Sequence, residues 1–66
     1  MTVVVNGTEH ELPEGTTLRQ LVERLGLGAA PCAAEINKAL VPRREHEART
    51  LVAGDRIEIV TLVGGG

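Results

Sequence analysis

The sequence predicts an α+β fold, one mixed sheet of about four to five strands with a single main helix covering one face. Three observations carry that expectation. A β-branched run, Val3-Val4-Val5, meets an Asn6-Gly7 dipeptide. One amphipathic helix is marked at both ends between Thr17 and Gly26. A second apolar run alternates from Arg56 to Leu62.

The first twelve residues read as a hairpin. Asn-Gly between apolar runs is the strongest short-range signal for a two-residue type I′ turn, because both residues tolerate positive φ. That loop length opposes Val5 to Thr8, Val4 to Glu9 and Val3 to His10. Strand periodicity then places Val3, Val5 and Leu12 on one face and Val4, Glu9 and Glu11 on the other. Pro13-Glu14-Gly15 ends the second strand. Thr17 and Gln20 have the spacing of a capping box. Leu18, Leu21, Val22 and Leu25 form one helical stripe, and Arg19, Glu23 and Arg24 take the solvent side. Gly26 is placed to stop the helix in a left-handed conformation.

After a loop over residues 27–31, Ala33 to Asn37 reads as a short strand, with Lys38-Ala39 turning the chain into Leu40-Val41. Pro42 holds Val41 extended. Residues 43–49 read as a solvated, charged connector with room for one helical turn, Glu45 and Arg49 standing at i, i+4. Val52 to Asp55 is a turn, and Arg56 to Leu62 is the last strand. The expected core is Val3, Val5, Leu12, Leu18, Leu21, Val22, Leu25, Ile36, Ile57 and Ile59. It contains no aromatic residue, so each aliphatic side chain, worth about 1.5–3 kcal/mol when buried, counts.

Sixty-six residues allow one small domain, here residues 1–63, followed by a flexible glycine tail, 64–66. The absence of Phe, Tyr and Trp removes base stacking, and a net charge of −2 argues against a phosphate-tracking surface, so no nucleic-acid partner is expected. No apolar run approaches the ~20 residues of a membrane span, and Met1-Thr2-Val3 begins no secretory signal, which points to a cytoplasmic protein. Cys32 is the one cysteine, and with His10 and His46 it shows no metal-ligand spacing. It reads as a small, partly buried residue at the start of a strand. His10 with Glu14, and His46 with Glu45 and Glu47, read as solvated neighbours rather than acid/base pairs.

Val63-Gly64-Gly65-Gly66 is the sharpest functional feature. Taken alone, three glycines fit a frayed end, a cloning scar or a functional tail. The functional reading has a physical basis. Without Cβ atoms a glycine backbone can thread a narrow channel, and a terminal carboxylate with a pKa of ~3.5 is ionised and unhindered. Such a carboxylate can attack the α-phosphate of ATP and become an acyl-adenylate open to a sulfur or nitrogen nucleophile.

Several stretches together resemble the ThiS sulfur carriers of the ubiquitin-like β-grasp family. They are the Asn6-Gly7 turn, Gly15-Thr16-Thr17-Leu18, Glu35-Ile36-Asn37-Lys38-Ala39-Leu40-Val41-Pro42-Arg43, Val52-Ala53-Gly54-Asp55-Arg56-Ile57-Glu58-Ile59 and the terminal Gly65-Gly66. The resemblance runs from Met1 to Gly66. It implies that the protein is a cosubstrate rather than an enzyme. A ThiF-type adenylating enzyme would adenylate Gly66, with Gly65 and Gly64 threading its channel. A cysteine desulfurase or rhodanese-like donor would supply the sulfur of a thiocarboxylate. A ThiG-type thiazole synthase would receive that sulfur for the thiazole of thiamin. ATP and magnesium, and any zinc, would belong to the partner, the carrier binding no cofactor, and Cys32 would not be the sulfur-carrying atom.

On this reading the outer sheet face gains meaning. Val4, Val60 and Leu62 would form one exposed apolar stripe rimmed by Glu9, Glu11 and Glu58, running through Val63 into the tail as a partner-binding surface. Three other readings compete: a small subunit of molybdopterin synthase, a non-catalytic TGS-like β-grasp binding module whose glycines are linker, and a modifier conjugated to lysines. The first shares the tail chemistry, but such chains are longer and carry aromatic residues near the tail. The second is disfavoured for RNA by charge and composition.

Overall fold

A computed structural model describes residues 1–62. Five strands and one α-helix follow in the order β1 (Thr2–Val5), β2 (Thr8–Glu11), α1 (Leu18–Arg24), β3 (Cys32–Ile36), β4 (Ala39–Val41) and β5 (Arg56–Thr61), with a 3-10 turn at Arg43–Glu45 before β5. They form a single sheet in the order β2-β1-β5-β3-β4. Only the central β1–β5 pair is parallel, and the three other pairs are antiparallel. Val63 to Gly66 lie outside the described residues.

The β1–β2 hairpin has the register its two-residue loop dictates, Val5 opposite Thr8 and Val3 opposite His10. Asn6 and Gly7 both take positive φ, 50° and 83°. The capping box is present in both directions. The Gln20 amide donates to Thr17 Oγ1, and the Thr17 amide donates to Gln20 Oε1. Gly26 stops the helix at φ 80°. Seven residues make too short a helix to hold its shape in water, so its stability comes from the buried face of Leu18, Leu21 and Val22.

Nine of the ten expected core residues are buried, and Cys32, Ala34, Val41 and Leu51 join them. Leu25 is the exception. It caps the helix C-terminus and is half-buried against the margin of the core. The β3–β4 turn lies one residue earlier than expected. Asn37 and Lys38 turn the chain with φ of 52° and 72°, and Ala39 already belongs to β4. Asparagine bears the left-handed backbone better than alanine. Its side chain is also engaged, donating to Asp55 Oδ1 at 3.0 Å and accepting from the Arg56 amide at 3.0 Å.

The segment before β5 keeps Arg43, Arg44, Glu45 and Glu47 exposed around one 3-10 turn, as expected of the connector, but it is tied to the helix as well. Its backbone wraps the start of the helix: the Leu18 amide donates to Arg49 O, Arg19 to His46 O and Leu51 to Thr16 O. The first two bonds take up amides that the helix leaves unpaired at its N-terminus, and the third ties Leu51 to the residue before the N-cap. Leu51 is driven into the core, and His46 is 5% exposed with Nε2 3.0 Å from Val41 O. His46 is therefore a buried structural group, not a solvated neighbour of Glu45 and Glu47.

Candidate functional site

The site is built on β5. Its start is fixed by Asp55, which is 3% exposed. Asp55 Oδ2 accepts from the Val52 amide and Oδ1 from the Asn37 side chain, closing the turn and tying it to β3. The middle of the strand is held by Asn6. Where β1 ends, the Asn6 side chain continues the ladder, donating to Ile59 O at 3.1 Å and accepting from the Ile59 amide at 2.8 Å. The far end is held from the other side, where the Leu62 amide donates to Pro31 O at 2.9 Å.

Alternation along β5 turns Ile57 and Ile59 to the helix and leaves Arg56, Glu58, Val60 and Leu62 on the outer face. Val60 and Leu62 are 57% and 53% exposed, as expected. Val4 is not continuous with them. The parallel register puts Val4 beside Arg56. Four residues of strand, about 13 Å, separate that level from Val60. Arg56 and Glu58 therefore interrupt the expected stripe, and Glu9 flanks Val4 on its other side. Glu11 stands beside Thr2, at the end of the sheet away from Leu62.

The apolar surface that does form lies toward β3 and β4. Ala33 stands opposite Val60, and Leu40, 65% exposed, stands opposite Glu35. Leu40 was not among the expected contact residues, although Val41 turned inward would have placed it outward. Glu35 and Glu58 face each other directly across β3 and β5, two like charges bordering this surface. Gly64, Gly65, Gly66 and Val63 lie outside the described residues, and they follow in sequence from Leu62 at this end of the sheet.

Cys32 is elsewhere. It is the first residue of β3, 8% exposed and turned to the helix side. There it borders a hollow of about 220 Å³ with His46, Arg19, Arg43, Glu23 and Glu47. Arg19 is taken up by Glu23 and Glu47 at 3.4 and 3.1 Å. Among the described residues no cluster of three His, Cys, Asp or Glu is placed to hold a metal ion, and no helix is long and apolar enough to cross a membrane.

The ThiS family model matches residues 3–66, glycine tail included. The chain is 41% identical over all 66 residues to a thiazole synthase of Magnetococcus marinus, and spans about 20% of that protein's length. It is 29% identical to the sulfur carrier protein ThiS of Escherichia coli, each chain covered completely. The crystal structure of the thiamine biosynthesis protein ThiS from Geobacter metallireducens superposes with a TM-score of 0.83 at 28% identity, again over both whole chains. The parallel β1–β5 core, the single helix across it and the match through the terminal glycines agree with one another: this is a ubiquitin-like β-grasp domain, and the chain belongs to the ThiS family.

Proposed function

We propose that the chain is a sulfur carrier for thiazole formation in thiamin biosynthesis, with the Gly66 carboxylate as the reacting group. A ThiF-type enzyme binds MgATP, and the carboxylate attacks the α-phosphorus, expelling pyrophosphate. The terminal sulfur of a persulfide on a cysteine desulfurase or rhodanese-like donor attacks the acyl carbon and AMP leaves. A second thiol then attacks the donor-side sulfur of the resulting acyl disulfide, forming a disulfide and releasing the thiocarboxylate. A ThiG-type thiazole synthase consumes it. The domain supplies no acid, base or metal to these steps. It supplies a rigid stem and a recognition surface, and it acts as cosubstrate.

One observation carries this reading. β5 is fixed at its start, middle and end, and the exposed apolar residues Val60 and Leu62 come just before the glycines in sequence. A chain whose relatives include proteins named thiazole synthase, with a matching segment of 66 residues inside them, supports that enzyme as recipient. The test is incubation with MgATP, the adenylating enzyme and a sulfide source, followed by top-down mass spectrometry. Exchange of oxygen for sulfur adds about 16 Da, the same as oxidation of Met1 or Cys32, so fragmentation must place it. The mass shift is expected in fragments containing Gly66 and absent after Gly66 deletion. An active adenylating enzyme that leaves Gly66 unmodified refutes the carrier reading in favour of a binding module.

A further inference from the structure

The two edges of β5 are used unequally. In the antiparallel β3–β5 ladder, Val60 stands opposite Ala33 and Glu58 opposite Glu35, and the Leu62 amide continues the series to Pro31 O. The main-chain groups of residues 58, 60 and 62 therefore face β3. Those of the alternate residues face β1. On that side Val4 N bonds Asp55 O, Asn6 N bonds Ile57 O, and the Asn6 side chain satisfies both groups of Ile59. Thr61 is next in the series. By then β1 has ended at Val5, the Asn6 amide group is spent, and the chain has turned away through Gly7. No backbone pairing among the described residues reaches Thr61 from that side, and the residue is exposed.

We propose that the Thr61 N–H and C=O, on the open edge of β5, pair with an extended segment of the adenylating enzyme. The inference rests on the carrier reading and specifies how the tail is gripped. Adenylation requires the Gly66 carboxylate within roughly 3–3.5 Å of the phosphorus. The four residues after Leu62 span at most about 14 Å, so the enzyme must close around the end of β5. Ordering each residue costs about 1–2 kcal/mol, and glycine loses the most freedom. Three glycines give the enzyme no side chain to hold, which leaves main-chain N–H and C=O groups as the available handles. Strand addition uses such groups, and Thr61 offers a pair that no backbone group among the described residues uses. The exposed side chains of Val60 and Leu62 stay free for specificity on the outer face.

Amide exchange tests this residue by residue. In the isolated chain the Val60 and Leu62 amides are expected to exchange slowly and Thr61 at least tenfold faster. In the saturated complex with the adenylating enzyme and MgATP, Thr61 is expected to slow by tenfold or more. Thr61→Pro removes the donor where no partner is lost within the domain, and should weaken the complex by about fivefold or more. Thr61→Val keeps the N–H and should bind as wild type. Thr61 exchange unchanged in a complex that forms the Gly66 adenylate overturns the strand addition and leaves the carrier reading intact. A chain that neither binds nor is adenylated overturns both.

Discussion

The Asn6 side chain does the work of a strand that is no longer there, and Asn6→Gly isolates that contribution. Glycine accepts the φ of 50° at this turn position, so the hairpin keeps its backbone. What is lost is a pair of hydrogen bonds, to Ile59 N at 2.8 Å and Ile59 O at 3.1 Å. Each such bond contributes about 0.5–1.5 kcal/mol net. Asn6 is itself exposed, so water replaces part of the loss, and we expect a destabilisation of about 1–2 kcal/mol. For a domain of this size that lowers Tm by roughly 5–15 °C. With no aromatic residue to report fluorescence, urea and thermal unfolding should be followed by far-UV circular dichroism. Asn6→Asp keeps the acceptor for Ile59 N and loses the donor to Ile59 O, so it should also destabilise. A change below about 0.5 kcal/mol for Asn6→Gly, the range of an ordinary surface substitution, would refute the argument that this amide holds the middle of β5.

Four further outcomes are expected. Leu51→Ala should cost about 2–5 kcal/mol in chemical denaturation, because Leu51 is 2% exposed in the core, whereas a connector residue would cost little. Thr17→Ala should cost about 0.5–2 kcal/mol by removing the oxygen that accepts the Gln20 amide, read as a loss of helical ellipticity on warming. Glu35→Lys should stabilise by about 0.2–1 kcal/mol by ending the cross-strand opposition to Glu58, with a gain that shrinks as salt is raised. Val60→Asp or Leu62→Asp should leave the melting temperature unchanged and weaken binding to the adenylating enzyme in calorimetry, while Val4→Asp, placed beside Arg56, should weaken it far less.

What the sequence makes legible is what local chemistry decides. Asn6-Gly7 sets a turn, the turn sets the hairpin register, and both are as read. Thr17 and Gln20 cap the helix because the pair needs only three residues of spacing. The misreadings concern long-range choices. No loop sets the register between β1 and β5. Some fifty residues separate them, and packing of Val5 beside Ile57 decides it, so Val4 lands at Arg56 rather than near Val60. His46 sits in a run of charged residues and reads as solvated, yet Val41 O receives its ring and the helix start covers it. Asp55 looks like an ordinary turn aspartate, and its burial depends on Asn37, eighteen residues away.

On the proposed carrier reading, this division bears on how a domain of this size can be specific. A glycine tail carries no side-chain information, so it cannot distinguish one adenylating enzyme from another. Discrimination must then lie on the folded domain, where Val60, Leu62, Ala33 and Leu40 form an apolar surface beside two opposed carboxylates. Such a surface favours a partner that presents apolar residues with a cation between them, since burying Glu35 and Glu58 together without one would be costly. Affinity and chemistry should therefore separate. Deleting Gly66 should abolish adenylation and leave binding to the adenylating enzyme nearly unchanged. Glu58→Lys with Leu62→Asp should lose binding, yet the bound fraction should still be adenylated when the enzyme is raised to saturation. If both variants lose affinity and chemistry in equal proportion, recognition is not divided between the sheet and the tail, and the outer face has no independent role.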